Sequence, residues 1–511
     1  MLRKSVDHNL AGGLAGIAAL APRTSPLAFR IPPAMVFAAA TAGAWLIYSY
    51  GYIEDDAFIH LEFARSVSEG RGFSFNGQHV NGDTAPLWVL LLTAIHAVGF
   101  GWIAAAKTLA GIGVFSTMSA VWCICLDLAG KGAEHRYLPI FGLLVTSLNP
   151  YFVHWSFAGM EAVTALGISI WAIWAAFPAN GMTWPRLWTG VSAVSLAPLL
   201  RPELVFLVAI TGPALLYRGW RLSANSSTGQ RLFVFVLLAA AMAIPTLLWC
   251  AYAFHAFGSL VPTTNAAKRG GDFIAVAKQL VGVYLVGFAT ILAAFPLVVK
   301  RLRRPGIPAA LWILLLWPLA CAAFYLIDRT AVQTRYCLLS MPSLAIAVLW
   351  LLEESVPRVW ANRVVAVMVA VSMATVALIV FPHVTNKVKL VKNVSAAAQF
   401  IRNNLPANAP VAVYSIGQFA FDGRHPLIDI GGITRPDVLP ILGDLPATIR
   451  WAKAQGARYY IGGDPPEPDA VTVYSFAEPF VGWTFTHSRY ATSTTTAIYR
   501  FDDARGSSGN R

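Results

Sequence analysis

The chain has 511 residues, of which 57% are hydrophobic and only 12% are charged, and its formal net charge is +13. A typical soluble domain carries about 25% charged residues, so this composition excludes an ordinary soluble protein. The basic residues fall in short stretches between apolar segments, as at Arg218, Arg221 and Arg231. That pattern indicates cytoplasmic loops rather than a nucleic-acid-binding surface. We therefore predict a polytopic α-helical membrane protein, because helices satisfy their backbone hydrogen bonds within lipid.

The first 32 residues are interpreted as a cytoplasmic N-terminal tail. Leu10–Ala21 is apolar but short, and it follows two basic residues, as the core of a weak signal peptide would. Two arginines come after it, however, and a stronger apolar segment begins at Pro33. The first span is therefore expected to run from inside to outside.

Many apolar runs approach the roughly 20 residues that cross a bilayer, and twelve segments are candidate spans. They lie at 33–50, 86–106, 107–129, 138–155, 159–178, 187–200, 203–217, 231–257, 279–299, 308–327, 338–352 and 361–382. The basic tail and the basic loops at 300–304 and 358–363 require an odd number of crossings. One segment is therefore re-entrant, or two short ones form one broken helix. The candidates are the pair around Arg201-Pro202-Glu203 and the stretch 86–129, so we predict about 11 transmembrane helices within residues 33–383.

The composition changes to that of a soluble domain from about Val384 onward. Predicted strands at 410–415, 427–430 and 457–461 alternate with predicted helices at 395–404 and 447–456. This alternation is typical of a small α/β layer domain, which we place at residues 384–501. Residues 502–511 are predicted to be a disordered tail. The five cysteines all lie in or beside apolar segments and indicate neither a disulfide framework nor a metal site.

An acidic pair, Asp55-Asp56, follows the first apolar segment and begins a first outer loop over residues 52–85. Carboxylates at the mouth of a span are costly and usually mark chemistry or a pathway. Apolar side chains at 58, 59, 61, 63 and 64 predict that the following helix lies in the interface plane. A carboxylate there can accept the proton of an acceptor hydroxyl as a general base, or one Asp can simply cap the helix. His60, Glu62 and His79 are interpreted as polar-face residues.

A series of motifs in a fixed order resembles the GT-C superfamily of lipid-linked-sugar glycosyltransferases, in particular the branch containing cell-wall arabinofuranosyltransferases. The motifs are Asp55-Asp-Ala-Phe-Ile59 with Ala64-Arg65, Ala158-Gly-Met-Glu161, Leu200-Arg-Pro-Glu203, Phe257-Gly-Ser-Leu-Val-Pro262 with Asn265 and Ala267-Lys268, and Arg335-Tyr336. Three positions depart from the pattern: Ala158 replaces Ser, Ala162 replaces Thr and Thr263 replaces Asn. The similarity extends over most of the chain.

The resemblance implies a GT-C-like fold and a polyprenyl-phosphate-linked sugar donor. Asp55 and Asp56 would be the catalytic carboxylates, with Asp55 as the expected general base. The donor phosphate would be bound by Arg201, Lys268 and Arg335, since guanidinium and ammonium groups suit phosphate. The residues implied to position the substrate are Glu161, Glu203, Thr264 and Tyr336. No metal or other cofactor is expected to be required, although Glu161 could bind a divalent cation.

The implied activity is an inverting glycosyl transfer at the outer side of the bacterial inner membrane, where the active site and C-terminal domain would face the periplasm. The sugar, for instance a pentofuranose such as arabinofuranose, would pass to a hydroxyl of a cell-envelope glycan, glycolipid or protein. Membrane lipid is an expected partner and nucleic acid is not. The alternatives are a lipid-linked-sugar transporter or flippase and a non-catalytic membrane assembly factor. Transporters tend to show paired halves, and no repeat is visible in the sequence.

The predicted topology is testable by labelling introduced cysteines in intact cells with a membrane-impermeant thiol reagent. Cysteines near Gly77 and Ala470 should react from outside, and one near Arg303 should not, because the basic loops remain in the cytoplasm. The unsubstituted parent, with its five native cysteines, sets the background. Labelling near Arg303, or protection near Ala470 when the Gly77 site reacts, would overturn this orientation.

Overall fold

The computed structural model describes residues 33–130, 135, 137–302, 306–478 and 495–501. The predicted tails at 1–32 and 502–511 lie outside the described residues, as do Arg303 and Arg304 of the predicted basic loop.

Helices dominate the described chain up to Asn404, as predicted. In chain order they are Pro33–Tyr48, Asp55–Ser68, Pro86–Ala97, Trp102–Ala129, Leu138–Ser147, Pro150–Ser156, Ala162–Ala176, Trp184–Leu200, Val205–Leu222, Thr228–Phe257, Thr263–Lys268, Phe273–Leu302, Ala309–Asp328, Thr334–Leu338, Met341–Ser355, Arg358–Thr375 and Phe381–Asn404. Within the described residues, four helices are long and apolar enough to cross a membrane: Trp102–Ala129, Thr228–Phe257, Ala309–Asp328 and the continuous stretch Arg358–Asn404. The count of about 11 spans stays a prediction.

The stretch 86–129 contains one long helix and one short one, and the predicted division at residues 106 and 107 is wrong. The helix Pro86–Ala97 ends before Gly99, which has a φ of 101°, and the next helix begins at Trp102. Twelve residues span only about 18 Å, whereas the 28 residues of Trp102–Ala129 span about 42 Å. The short helix therefore cannot cross a 30 Å hydrocarbon core by itself.

The turn at Arg201-Pro202-Glu203 separates two antiparallel helices. A Cβ added to Gly190 would meet the Leu215 side chain, and one added to Gly219 would contact Leu187. Residues before the turn thus contact residues that follow the turn at a similar separation along the chain. The alternative that these two segments form one broken helix is therefore wrong.

The last apolar segment continues as one helix beyond the predicted domain boundary. Arg358–Asn404 is helical for 47 residues, and its π-helical turn, Val376–Val380, lies just before Pro382. Proline cannot donate to the carbonyl four residues earlier and its ring crowds that carbonyl, so a local π turn accommodates it without ending the helix. The change of composition at Val384 therefore falls inside a helix, and the separate helix predicted at 395–404 is its final part.

In the described residues, β1 (Ser74–Phe75) and β2 (Gln78–His79) form a hairpin in the first outer loop. The C-terminal region contains a five-stranded sheet formed by β3 (Val411–Val413), β4 (Leu427–Asp429), β5 (Tyr459–Gly462), β6 (Val471–Ala477) and β7 (Thr495–Arg500). The strand order in this sheet is β4-β3-β5-β7-β6. β3 pairs in parallel with β4 and β5, and the connecting helices are Ile416–Gly423 and Leu445–Ala454. β7 pairs antiparallel with both β5 and β6. Strands β3 and β4 lie within segments that were predicted as strands, whereas β6 and β7 were not predicted.

The helix that begins with the acidic pair, Asp55–Ser68, is enclosed by protein and is called here the acidic helix. Its ten residues from Ala57 to Ser66 are all buried. It packs against Pro86–Ala97 on one side and against Ile416–Gly423 on another. The apolar side of this helix is therefore covered by protein, and its expected position in the plane of the membrane interface stays a prediction. The hairpin of β1 and β2 follows the acidic helix in the chain.

A buried lysine, Lys107, which was not among the predicted site residues, bonds the segment that leads into the acidic helix to a distant turn of the chain. The Lys107 ammonium donates to the carbonyls of Ser49 at 3.0 Å, Tyr52 at 2.5 Å and Phe157 at 2.5 Å. Its three donors are thereby satisfied although only 3% of the residue is exposed. Lys107 thus joins the end of the first apolar helix to the turn that precedes Glu161.

We predict that Lys107→Met destabilises the protein by about 1–3 kcal/mol, because it leaves buried carbonyls without their donor. Thermal unfolding in detergent measures the change. The exposed Lys389→Met in the helix Phe381–Asn404 is the matched control, and it should unfold like the parent. Equal unfolding temperatures for Lys107→Met and the parent would contradict this role.

Candidate functional site

A cavity of about 250 Å³ lies where the acidic helix, several apolar helices and the C-terminal region meet. We call it the charged cavity. Eight of the nine residues predicted for the site line it: Asp56, Glu161, Arg201, Glu203, Thr264, Lys268, Arg335 and Tyr336. The structure thus brings together segments that lie far apart in sequence. Asp55, the ninth predicted residue, is not part of its lining.

Helix ends and turns place these side chains at the cavity. Asp56 is in the first turn of the acidic helix, and Glu161 directly precedes the helix Ala162–Ala176. Gly159 has a φ of 85°, and a Cβ there would meet Ala57 and Ile53. A glycine is therefore needed for this turn to pack closely on the acidic helix.

The Asp56 carboxylate lies between two cations. The Arg335 guanidinium donates to its carboxylate, and the Lys268 ammonium lies 3.8 Å from it. Burial alone would raise the pKa of Asp56, but the charges of Arg335 and Lys268 outweigh burial and hold it well below its usual range. Asp56 is therefore ionised in this arrangement and faces the charged cavity.

Arg201 is fixed by two carboxylates and an aromatic ring. Its guanidinium donates to Glu161 at 2.9 Å and to Glu203 at 2.9 and 2.6 Å. The Tyr325 hydroxyl also donates to Glu203, at 2.6 Å. The Arg201 and Arg335 guanidinium carbons lie 4.7 and 5.3 Å from the centre of the Tyr336 ring. Tyr336 thus contacts both guanidinium groups and holds them beside the same cavity.

Thr264 lies on the same short helix as Lys268 and bonds this helix to the first outer loop. Its hydroxyl donates to the Gly82 carbonyl at 2.5 Å, and the neighbouring Thr263 backbone N–H donates to the Asn81 carbonyl at 2.8 Å. These bonds join the helix Thr263–Lys268 to the end of the first outer loop. Thr264 therefore holds Lys268 at the cavity through the backbone.

His60 is a cavity residue, and its interpretation as a polar-face residue is wrong. Its Nδ1 lies 2.5 Å from Asp83 and its Nε2 lies 3.2 Å from Glu161. Burial would lower the pKa of His60, but the two carboxylates outweigh it and raise the pKa to about 10.

The sequence does carry one indication that His60 is a site residue, because it lies one helical turn after Asp56. Asp83 was missed because nothing in its local sequence connects it to His60. Glu62 is also buried, whereas His79 is exposed.

Asp55 faces the C-terminal region. Its carboxylate accepts the backbone N–H of Gly417 at 3.2 Å and that of Gln418 at 2.9 Å. Burial raises the pKa of Asp55 to about 6, against the lowering effect of these two amides. The expectation that Asp55 is the general base stays untested; of the two carboxylates, it is Asp56 that lies beside Arg335 and Lys268.

A group of possible metal ligands, Glu54, His154 and His383, includes the residue that directly precedes the acidic helix. One ligand atom from each lies within 4.8 Å of the others. Glu54 already accepts hydrogen bonds from Tyr52 at 2.8 Å and from the Lys387 ammonium at 2.9 Å. The Lys387 charge compensates Glu54, so this group has little excess negative charge with which to hold a cation.

The fold is shared with GT-C glycosyltransferases of known structure. ArnT from Cupriavidus metallidurans bound to undecaprenyl phosphate superposes with a TM-score of 0.54 and 14% identity, covering 91% of this chain and 97% of ArnT. The arabinofuranosyltransferase AftD from mycobacteria gives a TM-score of 0.52 and 15% identity over 91% of this chain and 40% of AftD.

Sequence comparisons add less. A family model described as a domain of unknown function, DUF8728, matches residues 384–504. No curated protein matches the chain. The predicted resemblance to the GT-C superfamily is therefore confirmed at the level of the fold, which this chain shares over nine-tenths of its length.

Proposed function

We propose that this protein is a GT-C glycosyltransferase that moves a sugar from a polyprenyl-phosphate donor to an acceptor hydroxyl. The observation that carries the proposal is the convergence of Arg201, Lys268 and Arg335 with Asp56 at one cavity. A phosphate leaving group needs cations, and the acceptor hydroxyl needs a base. The cavity provides both in one place. The complex of the structurally similar ArnT with undecaprenyl phosphate supports the choice of a polyprenyl donor.

Arg335 and Lys268 are the residues best placed to bind the donor phosphate. The Arg335 Nε–H is buried and has no hydrogen-bond partner among the described residues. Lys268 has a side chain that is 25% exposed, and it lies at a loose 3.8 Å from Asp56. Arg201 is more fully engaged by Glu161 and Glu203, so it contributes its charge at longer range. A departing phosphate gains negative charge, and fixed cations in a partly dehydrated site stabilise that gain.

The proposed reaction is a single displacement with Asp56 as the general base. Asp56 accepts the proton of the acceptor hydroxyl while the hydroxyl oxygen attacks the anomeric carbon. The bond from that carbon to the phosphate oxygen breaks, and the lipid phosphate leaves with the bonding electron pair. One displacement inverts the anomeric centre. A donor phosphate that draws Arg335 and Lys268 away from Asp56 raises the basicity of this carboxylate.

Glu161, Glu203 and Tyr336 are proposed to position the sugar, since carboxylates and a phenol hydrogen-bond sugar hydroxyls. We propose that the reaction needs no cofactor and that Arg335 and Lys268 are the cations that meet the phosphate. We propose an acceptor in the cell envelope, a pentofuranose such as arabinofuranose as one candidate sugar, and a site facing outward from the inner membrane. The alternative of a lipid-linked-sugar flippase predicts donor translocation without a glycosidic product.

Transfer of radiolabelled sugar from polyprenyl phosphate by the purified protein tests the function. Asp56→Asn should reduce turnover by roughly 10²–10⁴-fold while keeping donor binding. The exposed Asp469→Asn is the matched control and should retain the parent rate. Turnover of Asp56→Asn at the parent rate would remove Asp56 as the base, and donor translocation without product would favour the flippase. Addition of a chelator to the same assay tests whether transfer depends on a divalent cation.

Binding of polyprenyl phosphate to detergent-solubilised variants tests the phosphate site. Arg335→Gln and Lys268→Gln should each weaken binding by about 10- to 100-fold, since hydrogen bonds to charged groups contribute about 1.5–3 kcal/mol. Arg335→Lys should remain impaired because it loses the forked geometry.

The exposed Arg402→Gln is the control for general loss of charge. Arg201→Gln should also weaken binding, but it leaves Glu161 and Glu203 without their cation, so its folding must be verified by thermal unfolding first. If all of these variants bind the lipid as the parent does, the donor site lies elsewhere.

A further inference from the structure

The acidic helix holds both ends of one short helix in the C-terminal region. Asp55 accepts the N–H groups of Gly417 and Gln418, at the start of the helix Ile416–Gly423. Ten residues later, the Arg65 guanidinium donates to the Phe421 carbonyl at 2.8 Å and to the Ala420 carbonyl at 3.4 Å, near the end of the same helix. A carboxylate thus lies at the positive end of this helix and a guanidinium at its negative end.

Asp55 supplies a cap that the helix lacks from its own sequence. The first N–H groups of a helix have no partner within the helix, and Ser415, at the N-cap position, makes no capping hydrogen bond with its side chain. The Asp55 carboxylate, 362 residues away in sequence, takes this place. The cap is therefore also a tertiary contact between two parts of the chain.

The backbones approach so closely that position 417 accepts only glycine without a shift. A Cβ added to Gly417 would collide with the backbone carbonyl oxygen of Asp55. The rings of Phe58 and Phe421 lie 5.7 Å apart on the same contact. The contact is closely packed at both ends, so movement of this helix requires movement of the acidic helix.

Asp55 and Asp56 consequently point to different sides. Successive residues in a helix are about 100° apart, so the docking of Asp55 fixes the rotation that directs Asp56 to the charged cavity. The helix Ile416–Gly423 also leads through β4 to Ile433, which lines the cavity and whose carbonyl accepts the Thr263 hydroxyl. Docking at Asp55 therefore positions two walls of the cavity.

We propose that Asp55 is a positioning residue that docks the C-terminal region onto the acidic helix and thereby aims Asp56. The proposal rests on the proposed function for its effect on turnover, but the docking contact itself is independent of it. Asp55 contributes a hydrogen-bond acceptor, not a proton acceptor for the substrate.

The test compares Asp55→Asn, Asp55→Ala and Gly417→Ala with the parent. Asp55 accepts the Gly417 N–H with Oδ2 and the Gln418 N–H with Oδ1, so Asn keeps one of these two acceptors and Ala keeps neither. Asn caps helices about as well as Asp, so Asp55→Asn should retain most of the turnover that Asp55→Ala loses. Asp55→Ala and Gly417→Ala should each lower kcat about tenfold or more with little change in KM for the donor. Hydrogen exchange of the amides at 416–423 should accelerate about tenfold in these two variants and remain slow in Asp55→Asn.

Hydrogen exchange separates failure of this proposal from failure of the proposed function, since it needs no substrate. If Asp55→Asn is as inactive as Asp55→Ala while its own exchange at 416–423 remains slow, Asp55 is the general base and the proposal is wrong. Unchanged exchange in both Asp55→Ala and Gly417→Ala overturns the docking role whatever the activity. Accelerated exchange in a protein that transfers no sugar supports the docking and rejects only the proposed function.

Discussion

Compensation of buried charge is the constraint on which the site depends. An ion removed from water costs several kcal/mol unless a partner meets it, and the charged cavity holds carboxylates and cations that are largely buried. Asp56 is paired with Arg335 across 279 residues, and Arg201 with Glu161 and Glu203. These pairs can form only if the ends of their helices meet, so the pairing of charge determines where the segments converge.

Much of this site could be predicted from the sequence, because a charge beside an apolar segment is costly and therefore conspicuous. Asp56, Arg201 and Arg335 stand out in this way. Lys107 also lies in an apolar segment, but its partners are backbone carbonyls, which have no sequence signature. His60 and Asp83 could not be connected because their contact forms only when the first outer loop folds back on the acidic helix.

Rotations and boundaries of helices were harder to predict than their existence. Asp55 and Asp56 are adjacent, and only the distant helix Ile416–Gly423 decides which of them faces the cavity. The stretch 86–129 is apolar on both sides of its break, so composition gives no signal except the glycines at 99 and 101. At Val384 the opposite holds, since the composition changes but the helix Arg358–Asn404 continues.

The same ion pairs bear on when the proposed base becomes active. An ionised Asp56 that is bound by Arg335 is a weak base, because the guanidinium stabilises its charged form. In the proposed reaction the donor phosphate competes for Arg335 and Lys268, and Asp56 loses part of that stabilisation only when the donor is present. Water that enters an empty cavity therefore meets a carboxylate of low basicity. In the proposed reaction, the base strength of Asp56 is thus coupled to donor occupancy through the exchange of ion-pair partners.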